Sequence, residues 1–125
     1  MRELGIALVC WSPLGGGFLT GTVGTLDKDD FRQNNPRYAG DNLARNLDRF
    51  TPFMQLSQEL NVTPSQLALA WLLHQGDDIF PIPGTRRPER INENAAAAQL
   101  RLDSDTLERI NQLAKPGLAE GATLV

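Results

Sequence analysis

Two short apolar stretches, Leu4 to Trp11 (LGIALVCW) and Ile79 to Ile82 (IFPI), limit what this chain can become. Both carry apolar side chains on both faces, the pattern of strands covered from two sides in a parallel sheet rather than of a half-solvated hairpin. The sequence between them has helical spacing, so the strands are expected to run parallel and to be joined by a right-handed crossover. The predicted order is strand, long loop, helix, helix, strand, helix, helix. Two such strands cannot form a stable sheet when each wants a neighbour on either edge. The expectation is therefore of an α/β piece of something larger, opening on its most buried strand.

The helices announce themselves by their caps. Leu43, Leu47, Phe50, Phe53, Met54, Leu56 and Leu60 recur at helical steps, with Pro52 inside the pattern expected to kink or break the helix near Phe50. Thr63-Pro64-Ser65-Gln66 is a helix start, with Thr63 as cap, Pro64 in the first turn and Gln66 placed to complete a capping box. That helix should end near Gly76 with its wide apolar face on the sheet, and His74, the one histidine, is read as a helix-end residue rather than a catalytic one. A further helix is predicted from about Pro88 to Gln99. Asp103 should cap the last one, whose Leu107, Ile110 and Leu113 form one stripe. Residues 118–125 are expected to be a flexible tail. Phe18 to Gly40 is the least periodic stretch, a long loop of the kind that is functional or mobile.

The totals exclude several classes. A formal net charge of −3 offers no overall attraction to nucleic acid or to an anionic membrane. No apolar stretch approaches the roughly 20 residues of a membrane helix. Cys10 is the sole cysteine, which rules out an internal disulfide and fits a reducing compartment, so a cytoplasmic location is expected. No metal-ligand spacing is present.

Within this mildly acidic chain one basic cluster stands out. After Ile79–Ile82, Pro83-Gly84 ends the strand, and Gly84 is expected to take a conformation other residues avoid. Thr85 is a helix cap or an anion ligand, and Pro88 suits a first helical turn. Arg86, Arg87 and Arg90 flank that helix start, where unpaired N–H groups already favour negative charge. Strand, glycine turn, arginines and helix start describe a phosphate site; they equally describe an ordinary strand-to-helix turn with solvated arginines. The earlier strand has its own turn, Ser12-Pro13-Leu14-Gly15-Gly16-Gly17, whose backbone can approach a ligand closely or can simply be a flexible exit. With no Lys after the glycines it is not a P-loop.

GIALVCWSPLGGGFLTG and FPIPGTRRPERINEN, in this order and at this separation, resemble the last two strand-turn-helix units of aldo-keto reductases. The intervening DFRQNNPRYAGDNLARNLDRF and NVTPSQLALAWLLHQGDDI are similar to the bacterial and plant branch near the pyridoxal and perakine reductases. The resemblance covers nearly the whole chain. It implies a (β/α)8 TIM barrel that reduces aldehydes or ketones with NADP(H), of which residues 1–125 would be the C-terminal portion, incomplete as a barrel because a full one takes about 250 residues. Its small-molecule carbonyl substrate would be a partner of the full-length enzyme, with no nucleic acid and no membrane involved.

Carried over position by position, the resemblance implies that Trp11 stacks on the nicotinamide and that Ser12, Leu14 and Gly16 wrap the pyrophosphate. Gly84, Thr85 and Arg86 would hold the 2′-phosphate, Arg90 the phosphate or adenine, and Glu93 and Asn94 the adenine edge. Arg87 has no role in that pattern and is expected in solvent. The arginines favour NADPH over NADH, since a guanidinium meets two phosphate oxygens at once, whereas an NADH site places an acid on the ribose. The family's catalytic Asp, Tyr, Lys and His lie on earlier strands and have no counterpart here. No catalytic residue is therefore assigned, and the chain alone is expected to be inactive. Two other readings stay open: a non-enzymatic remnant that self-associates as a homo-oligomer to cover its orphan strands, and a plain nucleotide- or phosphate-binding module.

Overall fold

The computed structural model describes residues 1–122. Strand β1 (Leu8–Trp11) is followed by a glycine-rich 3-10 segment (Gly15–Thr20) and a short 3-10 turn (Phe31–Asn34). Helices α1 (Asn42–Glu59) and α2 (Pro64–Leu73) then lead to β2 (Ile79–Ile82). Helix α3 (Pro88–Ala96), continued by a 3-10 turn (Ala97–Gln99), and α4 (Ser104–Leu113) close the order, which is the one the sequence predicts. The strands pair in parallel, Leu8 beside Ile79 and Trp11 beside Ile82.

Local chemistry sets the boundaries. The capping box of α2 is complete: the Gln66 N–H donates to Thr63 Oγ1 and the Thr63 N–H to Gln66 Oε1. Asp103 accepts from the Thr106 N–H at 2.8 Å, and hydrogen bonding from the Thr106 side chain and backbone lowers its carboxyl pKa. Helix α1 runs through Pro52 without the predicted break, because its other residues keep their helical bonds and Phe53 and Leu56 are locked in the core. Strand β1 is shorter than Leu4 to Trp11. Arg2–Leu4 instead form a 3-10 turn capped by Gly5 at φ 65°, and β1 extends only as far as its partner β2 does.

The core is made by helices. Phe53 and Leu56 of α1, Leu67 and Ala68 of α2 and Ile110 of α4 form one buried cluster, with Leu14, Leu19 and Trp71 packed around it. Burying each large side chain stabilises the fold by roughly 1.5–3 kcal/mol. The strands depart from expectation. Val9 and Trp11 are 58% and 66% exposed, and Phe80 and Ile82 are 52% and 53% exposed. One face of the sheet lies toward α2, whereas the face carrying these four residues has no cover among the described residues.

The expected flexible tail is anchored where it is described. Asn46, fully buried, donates through Nδ2 to the carbonyls of Arg37 and Glu120 and accepts from the Glu120 N–H at 2.7 Å. Arg45 and Arg49 pair with the Glu120 carboxylate. The remainder of that tail, residues 123–125, lies outside the described residues.

Candidate functional site

The ends of β1 and β2 lie side by side, so the turns that follow them share one edge of the molecule. At the end of β1 the backbone reverses sharply: Ser12 sits at φ 52°, and Gly15, Gly16 and Gly17 all have positive φ. Gly16 and Gly17 are required sterically. A Cβ on Gly16 would lie 2.9 Å from the Tyr38 hydroxyl, and one on Gly17 would lie 2.7 Å from Val23. Tyr38 is almost wholly buried, stacks on Phe18 and donates to the Gly16 carbonyl at 2.7 Å. The same burial raises the Tyr38 pKa. Arg32 adds a bond from Nη1 to that carbonyl at 3.2 Å and holds Asp30 through Nε and Nη2. The long loop thus fixes the glycine turn from outside.

Gly84, after β2, differs from expectation. It is not among the residues with positive φ, and a Cβ placed on it would meet nothing within 4 Å. The backbone there is one that other residues adopt. What the glycine preserves is open space, and that space is a cavity. About 260 Å3 is enclosed by Leu14, Thr20 and Thr22 from the first turn and by Gly84, Thr85, Arg87, Arg90 and Asn94 from the second, with Ser65 of α2 between them. A second hollow of about 270 Å3, lined by Ser12, Leu14, Gly16, Thr20 and Gly84 among others, shares Leu14, Thr20 and Gly84 with it.

Seven of the ten predicted residues therefore line these two adjoining cavities: Ser12, Leu14, Gly16, Gly84, Thr85, Arg90 and Asn94. Trp11 stands beside a third cavity, at the end of β1. Two of the ten are placed elsewhere. Arg86 lines none of these cavities, whereas its neighbour Arg87, exposed as expected, also borders the first of them. The Glu93 carboxylate is occupied. It accepts from the Thr63 hydroxyl at 2.8 Å and pairs with Arg90 at 2.6 Å, while the Glu93 carbonyl accepts from Gln66. Glu93 thereby ties α3 to the start of α2. Thr85 Oγ1 accepts from the Arg87 N–H at 3.1 Å, so it organises the turn and does not cap α3.

Thr20, Thr22, Ser65 and Arg87 are cavity residues that the sequence reading did not select. Thr20 and Thr22 bond to each other through their hydroxyls at 2.8 Å. The signal available for Thr20 and Thr22 was two hydroxyl residues within five positions of the glycine run; nothing marked Ser65, which reads as part of a helix start. His74 joins structure and not chemistry: its Nδ1 lies 2.8 Å from the Ala70 carbonyl, and Nε2 accepts from the Leu102 N–H at 3.2 Å. The described residues contain no group of three or more side chains suited to a metal ion. None of their helices is long and apolar enough to cross a membrane.

Chemically, the paired cavities offer two guanidinium groups, hydroxyls, an amide and backbone at a turn. That donor set fits a phosphorylated nucleoside, in which phosphate meets the arginines and turn N–H groups while a base meets Asn94.

Comparison with known proteins shows the family and the fold. The Aldo/keto reductase family model matches residues 1–115. An aldo-keto reductase of Schizosaccharomyces pombe, yakc, whose name carries NADP(+), is 45% identical over 114 residues, covering 89% of this chain and 34% of that protein. The aldo-keto reductase str7 of Strobilurus tenacellus is 37% identical over 117 residues, covering 91% of this chain and 35% of its own length. The chain thus spans about a third of the length of these curated relatives. A glycerol dehydrogenase of Gluconobacter oxydans superposes with a TM-score of 0.78 at 22% identity, over 90% of this chain and 35% of that one. The likeness shows the fold: an α/β portion of a (β/α)8 barrel, with its two parallel strands side by side.

Proposed function

The chain belongs to the aldo/keto reductase family, and from that premise we propose that it forms the NADP(H)-binding portion of a reductase acting on small aldehydes or ketones. The observation that carries this is the cavity between the two turns, where Arg87, Arg90, Thr85 and Asn94 from one side meet Leu14, Thr20 and Thr22 from the other. Bound NADPH would supply the hydride; the residues here would bind and orient the nucleotide. Arg87 and Arg90 are suited to a 2′-phosphate, because planar guanidinium groups match its oxygens in pairs. Arg90 is shared with Glu93, which holds it within reach of the cavity. The turn at Ser12 to Gly16 lines the adjoining hollow, a fitting place for the pyrophosphate. Trp11, with an open ring face at the end of β1, is suited to stacking on a flat heterocycle.

Among the described residues no acid–base group at this edge is placed to protonate a carbonyl. Tyr38 spends its hydroxyl on Gly16, and His74 spends both ring nitrogens on backbone. The reading is accordingly binding without turnover by these residues alone. Mixing the purified chain with NADPH should change its tryptophan fluorescence, while NADPH absorbance should stay constant on adding an aldehyde. Aldehyde-dependent loss of absorbance would sink the division of labour proposed here. On this proposal residues 1–125 belong to the C-terminal, cofactor-binding part of the barrel, with Glu120 tied to it through Asn46.

A further inference from the structure

The third cavity, about 500 Å3, lies between the end of β1 and the loop Phe31 to Tyr38, a size that suits a small organic ligand. Two of its lining rings, Trp11 and Phe31, are largely exposed, so each offers a free face. Its two arginines differ in what they already hold. Arg32 is fully committed: to Asp30 through Nε and Nη2, to the Gly16 carbonyl through Nη1, and to the Tyr38 ring, whose centroid lies 5.7 Å from its guanidinium carbon. Arg37 forms no ion pair among the described residues. Its Nε donates to the Gly121 carbonyl at 3.3 Å, and its two Nη groups have no hydrogen-bond partner among the described residues. The Asn35 Oδ1 accepts from the Arg37 N–H at 3.0 Å, which fixes the backbone that carries it. No carboxylate is among the residues that line this cavity, and Asp30, just before it in the loop, is held by Arg32.

We propose that this cavity receives the carbonyl substrate of the reductase proposed above, and that Arg37 selects substrates bearing a carboxylate on an aromatic or apolar body. The two Nη groups of an arginine form parallel bonds to a carboxylate, and a flat body beside it can lie against Phe31, leaving the Trp11 face to the nicotinamide. The cavity shares Ser12 and Gly16 with the hollow assigned to pyrophosphate, so the ligand's other end would lie next to the nucleotide. This rests on the nucleotide reading for its biological sense but not for its binding chemistry.

The test is binding of 4-carboxybenzaldehyde and of benzaldehyde to the 125-residue chain, followed by the NMR shift of the Trp11 indole, with and without saturating NADP+. The carboxylate-bearing probe should bind about tenfold more tightly or better, a comparison that requires no variant to fold. Arg37→Gln should remove the difference, Arg37→Lys should restore part of it, and NADPH affinity should be unchanged in both. Equal affinity for the two probes, no binding of either, or discrimination surviving in Arg37→Gln would overturn the proposal. Weakened NADPH binding in Arg37→Gln would also overturn it, by giving Arg37 to the nucleotide. Discrimination in a chain that binds no NADP+ would instead uphold this site and refute the nucleotide reading.

Discussion

The Tyr38 hydroxyl reaches the Gly16 carbonyl across 2.7 Å, joining the buried end of the long loop to the turn that follows β1. A loop without periodicity thereby becomes the outer support of the glycine turn.

That bond predicts a graded loss. Tyr38→Phe keeps the stack on Phe18 and leaves the Gly16 carbonyl its second donor, Arg32, so unfolding by urea should show a loss of about 1 kcal/mol. Gly16→Ala should cost more: the positive φ alone costs about 1–2 kcal/mol, and the added Cβ would crowd the tyrosine hydroxyl.

Gly84→Ala should behave in the opposite way. Its backbone is unstrained and its surroundings are open, so the melting temperature should stay within about 2 °C of the parent, a small stability change for a chain of this size. Because the new methyl would enter the space shared by the two cavities, NADPH affinity should fall several-fold. A large loss of stability with unchanged affinity would show that Gly84 serves the fold instead.

Glu93→Ala separates two roles for one carboxylate. In the structure Glu93 accepts from Thr63 and pairs with Arg90, so its removal should cost roughly 1.5–3 kcal/mol in denaturant unfolding, the range for hydrogen bonds to a charged group. Were Glu93 instead a base-contacting residue with no structural task, stability would hold and only nucleotide affinity would drop.

The Asp30–Arg32 pair sets an acid response. Bonding to Arg32 lowers the Asp30 pKa from its ordinary 3.8 to about 2. A carboxyl lowered in the folded state favours folding fully above its unfolded pKa and loses that contribution as pH falls through the folded one. Denaturant unfolding should therefore show Asp30→Asn less stable than the parent at pH 6. The gap should narrow between about pH 4 and pH 2. A gap that is constant with pH would mean the ion pair is not its source.

How far the sequence reached depends on where the information lay. Thr63-Pro64-Ser65-Gln66 and Asp103 were legible because a cap is a local contest for a few N–H groups, decided within four residues. Strand burial was not, since the described residues supply no cover for Val9, Trp11, Phe80 and Ile82. Arg86 and Arg87 are indistinguishable in composition; which one faces the cavity follows from the turn that the Thr85 side chain sets. Asn46 had no signal at all. A polar residue on a helix reads as solvated; the Arg37 carbonyl and the return of the chain at Glu120 together give it three hydrogen bonds and a place in the interior.

The central claim is that the cavity between the two turns reads a nucleotide carrying a 2′-phosphate. Isothermal titration of the chain with NADPH and with NADH tests it most directly, alongside the variant Arg87→Gln. NADPH should bind at least about tenfold more tightly, the worth of one bidentate charged contact, and Arg87→Gln should bring the two affinities together. Equal affinity for NADPH and NADH in the parent chain would contradict the account.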